Sequence, residues 1–404
     1  MKNVILIVLV LYTFFSCENS GDQATQEITQ EIENTISGAS CPSITYDCDR
    51  NLVLTWIKEV NDSTAYVCFA KSENNGMSFD STIEIRQTAH IHPHGENHPK
   101  IIFKPSGEII VMWGESNPTP QSKYSGLIYY SQSFDQGKNW SQPIALVKDT
   151  SAYDQRYFDM ALLPSGEVIA IWLDNRGLKN KEGSTLFCAI TDRKNGFKNE
   201  KAIAETCCPC CRTDLFVDSK GTIRASYRDI INDSIRDMAH LFSSDGGKTF
   251  SLPVRISEDN WVINGCPHTG PTVAENKTGL HFAWYTMGNG EGVFYCNSRD
   301  GGKTFSKKNG VSGKGSAKHP QIATLKNNNI AIVWDESAGD TGVFVRLQIR
   351  TPDGQTISSR SISGIGAVSE FPVIAQASEK SILIAYSEKK NDAKTIKYRL
   401  VAVD

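Results

Sequence analysis

The sequence predicts an all-β fold, a β-propeller of four-stranded antiparallel blades. Three observations predict it. Short apolar runs bounded by turn residues recur in groups of four along the chain. The second run of each group ends in an aromatic: Trp56, Trp113, Trp172, Tyr227, Trp284, Trp334 and Tyr386, at intervals of 57, 59, 55, 57, 50 and 52 residues. The turn before that run also recurs, as in Pro105-Ser106-Gly107, Pro164-Ser165-Gly166 and Ser219-Lys220-Gly221. Four strands at a period of about 50 residues describe one propeller blade.

The stretch from Asn97 to Trp140 shows the pattern most clearly. Lys100 to Phe103 is the first run and Ile109 to Trp113 the second. Leu127 to Ser131 is the third, and Pro143 to Val147 closes the unit. Gly and Asn in the intervening turns suit the positive φ angles of tight hairpins. Glu or Asp follows six of the seven aromatics within three positions: Glu59, Glu115, Asp174, Asp229, Asp335 and Glu388.

A repeat architecture absorbs all 404 residues into one domain. Hydrophobic content of 39% and charged content of 22% are those of a soluble globular body. A net charge of -3 with no long basic cluster gives no electrostatic case for nucleic acid.

The N-terminus reads as an export signal. Lys2 precedes an apolar segment from Val4 to Phe15, then Ser16-Cys17. The segment is too short to span a membrane. Phe14-Phe15-Ser16-Cys17 resembles the lipobox of bacterial lipoproteins, which implies a signal peptide over 1–17 and a lipidated Cys17. Residues 18–34 are polar and read as a flexible tether. Residues 35–404 form the single propeller domain. Asn34 to Ser37 is placed to supply the outer strand missing from the last unit and close the ring. The expected location is the bacterial cell envelope, at the outer membrane, with the body in water.

The loop after the third strand carries the sharpest signature. It reads Ser133-x-Asp135-x-Gly137-x-x-Trp140, Ser243-x-Asp245-x-Gly247-x-x-Phe250 and Ser298-x-Asp300-x-Gly302-x-x-Phe305, with a weaker copy at Ser72-x-Asn74-x-Gly76-x-x-Phe79. This resembles the Asp-box, or BNR repeat, of sialidase-like propellers. The carboxylate caps its own turn, Gly takes the left-handed position and the aromatic plugs the hairpin. Asp135, Asp245 and Asp300 are thus structural, and they identify a blade rather than an activity. Seven first strands and seven second strands argue for seven blades, against the six usual in sialidases.

Chemistry is expected on the axis, just ahead of each first strand. Round the ring those positions read Ser40-Cys41-Pro42, Asn97-His98-Pro99, Arg156-Tyr157, Cys211-Arg212-Thr213, His268-Thr269-Gly270, Lys318-His319-Pro320 and Glu370-Phe371-Pro372. His90, His92, His94 and His98 fall within nine residues, and Cys207, Cys208, Cys210 and Cys211 within five. Cys266 and His268 add one of each. Thiolate with imidazole is a ligand set for zinc or copper. The leading expectation is an axial metal site, copper ahead of zinc, from His98, His268, His319, Cys207, Cys208, Cys210, Cys211 and Cys266, with His90, His92 and His94 beside it. A metal-handling partner or a metal-dependent reaction would follow. The alternative is that these cysteines form a disulfide staple. Cys48, Cys68, Cys188 and Cys296 read as buried packing residues.

The sialidase resemblance implies an arginine clamp on a substrate carboxylate, opened by an Arg-Ile-Pro motif. No Arg-Ile-Pro occurs. Arg156 and Arg212 alone stand where they could meet a ligand, with Tyr157 beside them as candidate catalytic residues. Enzyme status stays open at this point. A glycoside hydrolase or a polysaccharide lyase acting on an anionic glycan is one alternative, with His or Tyr as base. A non-enzymatic cell-surface binding propeller is the other.

Overall fold

The computed structural model describes residues 31–403 apart from 121, 150, 152 and 177–181; the segment 1–17, with Cys17, lies outside the described residues. Among the described residues the regular structure is β-strand, relieved by three single 3-10 turns. The strands form antiparallel units of four in up-and-down order, and each unit takes its name from the aromatic on its second strand. The Trp113 unit comprises Lys100–Phe103, Ile109–Ser116, Gly126–Ser133 and Ile144–Ala145. Neighbouring units share a sheet in two places, each through one residue pair: Cys207 with Asp229, and Val343 with Val368.

The Tyr386 unit has three strands of its own, Val368–Ser378, Ser381–Lys390 and Ala393–Ala402. Its fourth is Ile32–Ser37, from the other end of the chain, paired antiparallel from Ile32 opposite Leu400 to Ser37 opposite Thr395. The strand begins at Ile32, so the last residues of the 18–34 tether belong to the sheet. An outer strand borrowed from the opposite end covers an edge that would otherwise be open.

Second strands are enclosed on both faces; Val168–Asp174 is buried at every position. Their aromatics sit opposite another ring on the third strand: Trp113 faces Tyr129, Trp172 faces Phe187 and Trp284 faces Phe294. The first two pairs stack, with centroids 6.2 and 5.9 Å apart. The recurrent acid now has a reason. Residues i and i+2 share a strand face, so the Trp113 indole N–H donates to Glu115 (2.8 Å) and that of Trp172 to Asp174 (3.1 Å). Trp334 uses Glu336 (2.9 Å) rather than the adjacent Asp335. Trp284 has Thr286 at that place and donates instead to Asp259, across the unit boundary, at 2.7 Å.

Apolar side chains between units form the core, with a cluster at every boundary. Val53, Val67 and Phe69 of the Trp56 unit pack on Ile101, Val111 and Trp113. Met112 and Ile128 pack on Met160 and Trp172, and Ile171 and Leu186 on Leu215 and Tyr227. The series ends with Leu54 and Trp56 against Val373 and Ala385, last unit against first. The packing therefore runs in a closed circle.

The Ser-x-Asp-x-Gly hairpins tie units together. Ser133 Oγ donates to Asp135 Oδ1 (3.0 Å) and accepts the Gly137 amide (2.8 Å), while Asp135 accepts the Asn139 amide (2.8 Å). Asp245 and Asp300 repeat the arrangement with Thr249 and Thr304. Gly302 has φ +86°, and a Cβ there would meet the His240 ring of the preceding unit at 2.7 Å. The hairpin plugs the unit before it as well as its own. Cys68, Cys188 and Cys296 are buried as expected, whereas Cys48 sits exposed in the turn after the first strand, where chain reversal puts it in solvent.

Candidate functional site at the mouth of the ring

First strands begin with a repeated irregularity. Cys41, Tyr157, His268, His319 and Phe371 all have left-handed φ between 50° and 55°. Pairing slips at four of these places, between Ser40 and Ser43, Arg156 and Asp159, Lys318 and Gln321, and Glu370 and Val373. Such a backbone costs about 1–3 kcal/mol per non-glycine residue and persists only when its surroundings hold it. The holding groups are visible. The Cys41 amide donates to Ser387 Oγ (3.1 Å), Tyr157 to Asn97 Oδ1 (2.8 Å), His319 to Thr269 Oγ1 (3.2 Å) and Phe371 to Asp335 Oδ2 (2.8 Å). Each acceptor belongs to the preceding unit, so ring closure itself imposes the strain that aims these side chains.

The axis is filled by charge and rings. Arg212 is buried; its Nε lies 3.4 Å from Glu96 Oε2, and its Nη2 donates to Pro320 O at 3.0 Å. Glu96 also accepts the Gly270 amide. His319 packs against Phe371 with centroids 4.2 Å apart, and His98 meets the same ring edge-on. Burial holds His98 well below its ordinary range. Asp214, two residues beyond Arg212, is pushed up to about 7 by burial and then by neighbouring Asp159.

A larger cavity of about 610 Å³ opens beside the axis. His92, His94, Arg156, Tyr157, Tyr124 and His268 line it, with Lys123, Glu115 and Cys266 at its walls. Burial lowers the His94 and His268 imidazoles, so both are neutral near neutral pH. His94 Nδ1 accepts the Glu96 amide at 3.2 Å, which places its proton on Nε2. The His268 ring has no hydrogen-bond partner among the described residues. Burial pushes the Tyr157 phenol far above its ordinary range, against the pull of Arg156. Arg156 pairs with Asp154 (2.7 Å) and keeps a buried Nε without a partner. The arrangement offers a neutral imidazole, a protonated phenol and a guanidinium to one bound molecule.

Behind the part of the wall formed by Pro209 and Cys210, three thiols converge. Cys208 Sγ lies 3.6 Å from Cys210 Sγ and 3.5 Å from Cys211 Sγ, and all three residues are buried. No other His, Cys, Asp or Glu joins them within 4.8 Å among the described residues. Arg236 Nη1 donates to Cys208 Sγ at 3.4 Å. The thiols of Cys210 and Cys211, then the Arg228 charge, favour the thiolate at Cys208 against the cost of burial.

No family model matches the chain, and no curated protein does. Solved structures match most of its length. The BP39L lectin from Burkholderia pseudomallei gives a TM-score of 0.64 at 8% identity, over 91% of this chain and 97% of that one. An ulvan lyase, a polysaccharide lyase bound to -[GlcA(1-4)Rha3S]-, gives 0.60 at 11% identity over 90% and 95%. The polysaccharide lyase Uly1 gives 0.55 at 11% identity over 90% of each. The fold is a β-propeller. At these identities the likeness is one of fold, so the site rests on this propeller's own residues.

The propeller separates the metal ligands that the sequence grouped together. Cys207 points away from Cys208 into the apolar core, with its sulfur near Glu205 O, because successive strand residues face opposite sides. His98 and His319 lie on the axis, His319 held by Asp335. His92, His94, His268 and Cys266 line the cavity without joining the thiols, and His90 is exposed away from it. No imidazole–thiolate centre forms among the described residues. Arg156 and Tyr157 share the cavity, whereas Arg212 is a buried structural ion pair. Sequence reasoning passed over Lys123 and Tyr124. They sit in the 117–125 connection, which with 175–183 is the longest between second and third strands, and that length was the available signal.

Proposed function

We propose that this propeller is glycan-active and that its mouth cavity takes an anionic, uronate-containing chain and cleaves it by β-elimination. The observation that carries the reading is one cavity presenting neutral His268, protonated Tyr157 and charged Arg156 together. In this reading Arg156 and Lys123 meet the uronate carboxylate. Neutralising that charge acidifies the proton on the adjacent carbon. His268 takes this proton, and the bond to the leaving glycosidic oxygen breaks as the double bond forms. Tyr157 protonates the departing oxygen. His94 Nε2–H donates to the bound sugar, and the exposed Tyr124 ring offers a stacking face.

Two of the neighbours are named as polysaccharide lyases, one of them bound to a GlcA-containing glycan, which makes an acidic glycan the substrate class to test first. The sheet topology supports seven blades, with the Ser-x-Asp-x-Gly hairpins as Asp-boxes. Anchoring through a lipidated Cys17 in the cell envelope would present the mouth to extracellular polymers.

The test is incubation of purified protein with a panel of uronate polysaccharides, following the ultraviolet absorbance of the unsaturated product. Turnover lost in Arg156→Met and His268→Ala supports the reading. Saturable binding without turnover makes the propeller a glycan-binding protein. Neither binding nor turnover across the panel overturns the proposal.

A further inference from the structure

The three-thiol cluster is not used by the reaction proposed above. It is buried, built from one short loop and flanked by two guanidinium groups. We propose that Cys208, Cys210 and Cys211 form a three-coordinate thiolate site for a soft monovalent metal ion, copper(I), set in the wall of the mouth cavity.

Spacing is the first argument. Three sulfurs around one metal at about 2.3 Å stand roughly 3.8–4.0 Å apart. Cys208 Sγ lies 3.6 and 3.5 Å from its two partners, and all three sulfurs fall within 4.8 Å of one another. Small rotations of the thiols would admit an ion without moving the backbone. The loop is also fixed: the Cys208 amide donates to Arg228 O at 2.8 Å.

Ligand number is the second. Zinc in structural sites takes four ligands. Among the described residues no fourth His, Cys, Asp or Glu reaches the trio, although Cys266 and His268 stand elsewhere on the cavity wall. Soft thiolates without a fourth donor select copper(I), which accepts three.

Charge is the third. Three thiolates and one monovalent ion leave two negative charges in a buried place. Arg236 donates to Cys208 Sγ, and its other Nη reaches the exposed Glu182 at 3.0 Å. Arg228 is buried over Trp261, holds three backbone carbonyls with its Nη groups and keeps an Nε without a partner. Two fixed guanidinium charges balance the loaded site. A divalent ion would leave the three thiolates only one net negative charge, fewer than the two guanidinium groups that face them. The structural arginines thus have a purpose that packing alone does not require.

The experiment is anaerobic titration of reduced, purified protein with copper(I) in competition with a chromophoric copper(I) chelator. We expect one copper(I) per chain withdrawn from the chelator. Cys208→Ser and Cys211→Ser should weaken retention by more than the roughly 10–100-fold expected of Arg236→Gln, which touches only an outer partner. Cys188→Ser, in the core, should change nothing. X-ray absorption of the copper-loaded wild type should show three sulfur neighbours, and it decides the matter if the serine variants do not fold. Failure of the reduced protein to take copper(I) from the chelator would overturn the proposal. So would nitrogen or oxygen in the first shell, folded serine variants that bind normally, or a disulfide within the trio that reductant does not open. None of these readouts depends on glycan turnover.

Discussion

His319 Nδ1 lies 2.7 Å from Asp335 Oδ2, and the same oxygen accepts the Phe371 amide. One carboxylate therefore fixes two left-handed residues of neighbouring units. Burial opposes a charged imidazole here, and Asp335 outweighs it, so His319 titrates above its ordinary 6.5.

That shift has a sign. A folded value above the unfolded one gives stability that is complete below the unfolded pKa and is lost as pH rises through the folded value. Asp335→Asn should therefore destabilise most on the acid side, by about 3 kcal/mol at pH near 6. The deficit should shrink as pH rises past the folded His319 value, leaving the smaller loss at the Phe371 amide. Urea unfolding of both proteins at several pH values measures it. A deficit independent of pH would show that the pair is not charged.

The two ring arginines should separate cleanly. Arg212 is buried against Glu96 and two backbone carbonyls, and removing one partner of such a pair costs about 3–5 kcal/mol. Arg212→Met should lower thermal stability strongly. Arg156 faces the cavity, paired with Asp154 and set over the Tyr157 ring. Arg156→Met should cost less than Arg212→Met, about 1–3 kcal/mol, and reduce kcat/KM on a uronate glycan by about a hundredfold. Melting curves and kinetics on both variants test the contrast; a stable Arg212→Met protein without activity would reverse the assignment.

The fold was legible because its period is written in local physics. Turn glycines, hairpin carboxylates and an indole with its acid two residues on act within a few residues of one another. Trp334 shows the limit: Asp335 and Glu336 both follow it, and only strand alternation says that Glu336 meets the indole while Asp335 turns to the axis. The same alternation parts Cys207 from Cys208. Arg156, Tyr157, His92, His94 and His268 line one cavity, and their positions ahead of first strands were legible. Their roles were not, because His319–Asp335, Arg212–Glu96 and Tyr157–Asn97 depend on how blades close round the ring.

Trp284 gives a test of coupling between units. Its indole N–H donates to Asp259 Oδ2, and Lys308 Nζ reaches Asp259 Oδ1 at 2.6 Å. Asp259→Ala leaves a buried indole donor without an acceptor and Lys308 with only Gly288 O as a hydrogen-bond partner among the described residues, at a cost of about 1–3 kcal/mol. Trp284→Phe removes the same hydrogen bond from the other side. The double variant should then lose less than the two singles added together. Denaturation of the four proteins gives the coupling, and simple additivity would mean that the hydrogen bond contributes nothing.

The pH profile of turnover tests the proposed roles in the mouth. Burial lowers the His268 imidazole, so it stays a proton acceptor at pH values where an ordinary histidine is already charged. Burial raises the Tyr157 phenol, so it stays a donor into the alkaline range. The acid limb of kcat/KM should fall below 6.5, the ordinary imidazole value, and the alkaline limb above the ordinary phenol value of 10.0. His268→Ala should remove the acid limb and lower kcat by about 10²–10⁴ while glycan binding persists. Tyr157→Phe should lose the alkaline limb and slow release of the leaving sugar. An acid limb retained in His268→Ala would assign the base to another residue, with His92 next on the same wall.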